Sequence, residues 1–176
     1  MEFVNGNITG NTFTYRYIQL DKSSISTLDN LTIDNNSFKN EALFFHHDNS
    51  KQTITNSRLS NNIFDTNSRL TTTQTGSKVN FTNCNIENNE FYNSTYLILA
   101  SEAIITIKGS HFNNLTFDQT TQLITARTQS SVSISNTNFE NIIKFLNLKA
   151  TTKVKDEMDF IFSIETSIFQ VSMSKF

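Results

Sequence analysis

The sequence predicts an all-β solenoid, a triangular parallel β-helix of about six to seven coils with a period of 25–27 residues. Three observations predict it: columns of apolar residues that recur at that period, period-two alternation within each copy, and two recurring columns of Asn and Gly. The apolar columns come first. Phe13, Phe38, Phe64, Phe91 and Phe117 are separated by 25, 26, 27 and 26 residues. Ile8, Ile33, Leu59, Ile86 and Phe112 precede them by five places, and Phe3, Leu28, Ile54, Phe81 and Ile107 lie five earlier again. Ile134 and Phe139 continue the two leading columns. A drifting period of this length marks repeats that cannot bury their apolar side alone and must stack on their neighbours.

Within one copy, Val79 and Phe81 alternate with polar Asn80 and Thr82, the period of a half-buried strand. Asn83-Cys84 interrupts the alternation, Ile86 resumes it, and Asn88-Asn89 interrupts again before Phe91. A further apolar run closes each copy: Tyr15 to Leu20, Ala42 to Phe45, Tyr96 to Ala100 and Leu123 to Ala126. Three strands per copy fold as three walls. Thr, Ile, Phe and Asn favour strand or turn over helix, and no stretch holds a 3.6-residue period.

The turns carry their own signal. Asn5, Asn30, Asn56, Asn83, Gly109 and Asn136 form one column, and Gly10, Asn35, Asn61, Asn88, Asn114 and Asn141 form another. Asn and Gly are the residues that tolerate left-handed backbone, so their exchange predicts two left-handed corners per coil. Stacked about 4.8 Å apart, the first column is also placed to form a ladder of side-chain amides.

The sixth copy, Val132 to Lys144, puts Lys144 where the closing Phe belongs, leaving Phe145 to take that role. A charged insertion, Thr151 to Asp159, reads as a loop thrown out from the wall of a single domain spanning residues 1–176. A decayed last coil follows over residues 160–176, with Phe162, Ile164, Thr166 and Phe169 echoing Val132, Ile134, Asn136 and Phe139. Neither terminus carries an evident polar cap.

The phrases Ile54–Phe64 (ITNSRLSNNIF), Val79–Phe91 (VNFTNCNIENNEF) and Val132–Ile142 (VSISNTNFENI) resemble right-handed parallel β-helix repeats of the pectin-lyase-like superfamily. They are nearest to the Asn-rich repeats of surface adhesins and polymorphic membrane proteins. The resemblance implies a right-handed coil and a cell-surface or extracellular setting. It specifies a fold rather than a chemistry. The rival is a leucine-rich-repeat solenoid, whose template fits Leu28 to Phe38. The other copies put Gly6, Ser57, Cys84, Ser110 and Thr137 where that template needs Leu, and their remainder reads as strand.

Fourteen basic and sixteen acidic residues leave no strong field toward nucleic acid or an anionic membrane, and no apolar run approaches a spanning helix. Met1 runs almost at once into repeat sequence without a signal-peptide pattern. Cys84, the single cysteine, aligns with small residues and reads as a turn filler rather than a reactive thiol.

Enzymes with the resembling fold cut polysaccharides with clustered carboxylates on one wall. The best candidate column here is Asp34, Ser60, Glu87, Asn113 and Glu140, whose acids fall on alternate rungs. That alternation avoids like charges on adjacent strands and argues for a solvated face. Arg16, Arg58, Arg69 and Arg127 share no column with acids, and Lys39 and Asp65 fall one rung apart as a surface pair. His46-His47 lies far in register from His111, so no metal trio is expected. The run Thr71-Thr72-Thr73 suggests a flat hydroxyl face, but the equivalent positions Leu20, Phe45, Ile98 and Ile124 break it. N-glycosylation acceptors at Asn7, Asn30, Asn35, Asn80, Asn93 and Asn114 are no more than this composition gives by chance, so a glycan is possible and not implied.

The reading is therefore a non-enzymatic structural or adhesive module without metal or cofactor, whose partner is protein, met end-on or as a neighbouring subunit. The alternative is a carbohydrate-active or carbohydrate-binding β-helix.

Overall fold

The computed structural model describes residues 2–20, 23–118, 120–144, 162–164 and 168–172. Every described strand pairs in parallel with its equivalent one repeat away, and the pairing builds three sheets. The first wall stacks Glu2–Val4, Ile25–Asp29, Lys51–Thr55, Lys78–Thr82, Ile104–Lys108, Ser131–Ser135 and Ile168–Ser172. The third stacks Arg16–Leu20, Leu43–Asp48, Arg69–Gln74, Tyr96–Ser101, Gln122–Arg127 and Phe162–Ile164.

The second wall is bent. In coils one to four it is two short strands, such as Thr32–Asp34 followed by Ser37–Phe38, and later it becomes the seven-residue strands His111–Phe117 and Asn138–Lys144. No helix occurs among the described residues, which removes the leucine-rich-repeat alternative. That architecture needs its second segment to be other than strand, and here it is the third wall.

Five turns are complete and unbroken, against the six to seven expected. The sixth is interrupted by residues 145–161, and a seventh is represented only by Ile168–Ser172. Phe145 and the charged insertion 151–159 lie outside the described residues, while Lys144 takes the register position next to Phe117. The last coil is registered differently from its expected echo. Phe162 and Ile164 pair with Ile124 and Ala126 on the third wall, and Phe169 and Val171 pair with Val132 and Ile134 on the first. An insertion of unknown path hides the phase of whatever follows it.

The apolar columns form the core. Ring centroids of consecutive members from Phe13 to Phe117 lie 4.9, 4.5, 5.0 and 4.7 Å apart, with planes within 17° of parallel. This spacing is the strand separation itself, so stacking is the arrangement that rung geometry imposes on identical side chains. Phe44 of the third wall meets Phe13 and Phe38 edge-on at 5.6 and 5.7 Å. Leu28, Phe38, Phe64, Phe91, Ile107 and Phe117 are all buried.

Both Asn and Gly columns are left-handed throughout: φ lies between 50° and 60° from Asn5 to Asn136 and between 52° and 69° from Gly10 to Asn141. The amide ladder expected on the first column is broken. Asn30 Nδ2 donates to Asn5 Oδ1 at 2.7 Å, but Asn56 Nδ2 turns to Asp29 and Asn83 reaches Asn56 only at 3.5 Å. These side chains stand in solvent, where water competes for them.

The continuous ladder is one residue past the second column and points inward. Asn36 donates its backbone N–H and its Nδ2 to Asn62 Oδ1 at 2.9 and 3.0 Å, and Asn62 does the same to Asn89. Each Nδ2 also reaches two backbone carbonyls, for Asn62 those of Ile33 and Ser60. Asn11 heads the ladder, and Leu115 and Ile142 replace it in later coils, where the second wall runs on as one strand. Without an amide side chain at the bend, adjacent strands pair through it.

Candidate functional site

The outer face of the second wall carries the groups with most chemical potential. Its acid column is assembled as the register required: Asp34, Ser60, Glu87, Asn113 and Glu140 are successive Cα partners. The acids are engaged rather than gathered. Asp34 accepts from Ser60 Oγ at 2.5 Å and Asn61 Nδ2 at 2.8 Å, bonds that hold its carboxyl below the usual carboxylate range. Thr55 and Asn56 do the same for Asp29.

Glu87 accepts from Arg58 at 2.6 Å. Arg58 stands in the neighbouring column, yet its long side chain reaches diagonally across one rung, which a column-by-column reading of arginines misses. Glu140 lies 3.4 Å from His111 Nε2. His111 and the His46-His47 pair stay on different walls, and no cluster of three metal-ligating side chains exists among the described residues. Lys39 and Asp65 take successive rungs of one column, with Lys39 N bonding Phe13 O and Asp65 N bonding Phe38 O, and no ion pair between them is found among the described residues.

The bend at the second Asn column leaves a surface groove of about 300 Å³ between coils three and five. Asn61, Asn88 and Asn114 contribute amides, and Ile63, Glu90 and Thr116 form its other side. Asn114 Nδ2 donates to Asn88 Oδ1 at 2.7 Å, so part of this amide set is already organised along the axis. Just beyond, the Tyr92 hydroxyl donates to Glu90 at 2.9 Å, and burial together with that carboxylate raises the phenol's pKa.

At the next corner, Asp118 is partly buried, which disfavours its charge. The amides of Asn93 and Thr120 outweigh that cost and leave its pKa lowered. Consecutive left-handed residues shape this corner: Asn40-Glu41, Thr66-Asn67 and Asn93-Ser94. The sequence gives little warning of them, since Glu, Thr and Ser share the positions with Asn.

Cys84 is buried, with Sγ 3.5 Å from the carbonyls of Ile54 and Thr82, and burial raises its pKa. Its column makes the same turn contact with oxygen: Ser57 Oγ donates to Thr55 O and Ser110 Oγ to Lys108 O. At Gly6 an added Cβ would come within 3.1 Å of Leu31, the one large member of the column. The Thr71–Thr73 run is buried rather than a flat outer face. Its neighbours in register are Phe45 and Ile98, and the first-coil equivalent is Ile18 rather than Leu20, which aligns with His47.

The inward Asn ladder is the feature a column reading passes over. Its signal was present in the recurrence of Asn11, Asn36, Asn62 and Asn89, and in the apolar residues Leu115 and Ile142 that replace it. An amide that exchanges with Leu and Ile faces inward.

Comparison with known proteins adds no family. No family model matches the chain, and no curated protein matches it. Among solved structures, HetL, a pentapeptide repeat protein involved in heterocyst differentiation regulation from the cyanobacterium Nostoc sp., aligns over 97% of this chain and 88% of its own. The identity is 12% and the TM-score 0.14, a likeness too slight to support any argument about this chain.

Proposed function

We propose that the chain is a non-enzymatic structural or adhesive β-solenoid module, a segment of a larger surface protein or a subunit of a larger assembly, joined to its neighbour end-on. The observation that supports this is the first rung. Its four strands pair on one side only, Val4 is half exposed, and Ile8 and Phe13 are incompletely buried. An open parallel edge of this kind accepts another strand, and a rung of the same shape would continue every column.

The test blocks that edge without touching the coil behind it. Gly6 O and Gly10 N bond to coil two, so alternation turns the N–H of Thr9 to the open side. Thr9→Pro removes that donor. Sedimentation over a concentration series should show self-association of the isolated chain, weakened at least about tenfold by Thr9→Pro with the melting temperature preserved. A chain monomeric throughout, or association indifferent to Thr9→Pro, refutes end-on addition.

The groove favours a second reading, the binding of a neutral glycan to the amides of Asn61, Asn88 and Asn114. Saturable binding of neutral oligosaccharides that is lost on replacing Asn88 by Gly would support it. Incubation with pectate, alginate and neutral glucans, with and without Ca²⁺, is expected to release no reducing or unsaturated ends.

A further inference from the structure

The lumen changes character along the axis. The inward column of the first wall runs Ser26, Gln52, Val79, Ile105 and Val132. That of the third runs His47, Thr73, Ala100 and Ala126. Later members of both columns belong to the apolar core, while Ser26, Gln52, His47 and Thr73 are polar and none is more than 1% exposed.

These four belong to one compartment. His47 and Thr73 sit on adjacent rungs, as do Ser26 and Gln52. The corner between the walls is closed by His47 Nδ1 3.2 Å from Ser50 Oγ and by Ser50 N donating to Ser77 Oγ at 3.2 Å. Gln52 lies near enough to His47 to favour its charged form. Even so, His47 Nε2, both amide atoms of Gln52, Ser26 Oγ and Thr73 Oγ1 are buried without a hydrogen-bond partner in the protein.

A buried polar atom without a partner is costly, and proteins satisfy such groups with internal water where protein groups do not reach. We propose that the lumen of coils two and three is a binding site for ordered water, with at least one molecule bridging His47, Gln52, Ser26 and Thr73. The chemistry selects the ligand. An imidazole, a carboxamide and two hydroxyls offer neutral donors and acceptors, which suit a neutral molecule better than an ion. Water both donates and accepts, so it serves His47 Nε2 in either tautomer and the Gln52 amide in either orientation. The site ends where Val79 and Ala100 take over the two columns, so the solenoid is wet in its N-terminal half and dry beyond it.

Oxygen-17 relaxation dispersion on the whole chain reads long-lived internal water directly. The wild-type step should shrink in the variant carrying Gln52→Val with His47→Ala, residues that the chain itself uses at Val79 and Ala100. Thr73→Ala, a smaller change, should reduce it as well. Dispersion unchanged in folded variants overturns the proposal. Should the double variant fail to fold, a high-resolution diffraction map of the wild type decides. Density within hydrogen-bond reach of His47 Nε2 and the Gln52 amide supports the site, and a direct Gln52–His47 bond with no such density overturns it.

Discussion

Replacing Asn62 by Leu separates hydrogen bonding from volume, because the chain already accommodates Leu115 two rungs further on. Asn62 is fully buried. Its Oδ1 accepts from the backbone and side chain of Asn36, and its Nδ2 donates to Ile33 O, Ser60 O and Asn89 Oδ1. In Asn62→Leu the Asn36 side chain keeps its bonds to the carbonyls of Ile8 and Asp34, and Ser60 O keeps the N–H of Asn35. The Asn36 backbone N–H is left buried without its acceptor, a loss of about 1–3 kcal/mol, and two carbonyls each lose a donor. Burying Leu in place of an amide returns about 1–2 kcal/mol. The expected net cost is therefore about 2 kcal/mol, read as a lowered urea midpoint at unchanged slope. Asn11→Leu, at the exposed head of the ladder, removes only donors and should stay within about 0.5 kcal/mol. An Asn62→Leu midpoint equal to or above wild type refutes the view that the ladder stabilises the bend.

Three further outcomes follow from the same geometry. Phe91→Ala, in the middle of the ring stack, should cost about 3–5 kcal/mol through lost burial and a cavity. Glu87→Ala gives up one solvent-exposed ion pair and should stay within about 1 kcal/mol, so urea melts that rank the two alike would reverse inside and outside. Asn83→Gly should be tolerated in its left-handed corner while Asn83→Val destabilises by about 1–2 kcal/mol, and equal midpoints for the two would remove the conformational explanation of the Asn–Gly exchange. Burial depresses the His47 pKa to about 4 from an ordinary 6.5, with the neighbouring His46 charge acting in the same direction and Gln52 opposing them. The unfolded chain then takes up the proton first, so stability is full above pH 6.5 and is lost as pH falls toward 4, by about 3 kcal/mol. A His47→Gln variant with the same acid dependence over that window would show that other groups set it.

The sequence alone determined the period, the parallel stacking, the inward columns and the residues at two corners. Repetition made these legible: with Phe13, Phe38, Phe64, Phe91 and Phe117 repeating, each copy tests the others, and the exchange of Asn with Gly reports backbone conformation without coordinates. Local chemistry stops at the walls. Arg58 meets Glu87 because a long side chain crosses a rung diagonally, and the phase of Phe169 depends on the path taken through residues 145–161. The Asn11–Asn36–Asn62–Asn89 ladder lies beside a solvent-facing Asn column, and only the turn of the backbone between adjacent residues sends one amide outward and the next into the core. The gathering of Ser26, Gln52, His47 and Thr73 is likewise tertiary, since it joins two walls across a corner. Periodicity records which face a residue takes; which groups meet across faces is fixed by the closure of the coil.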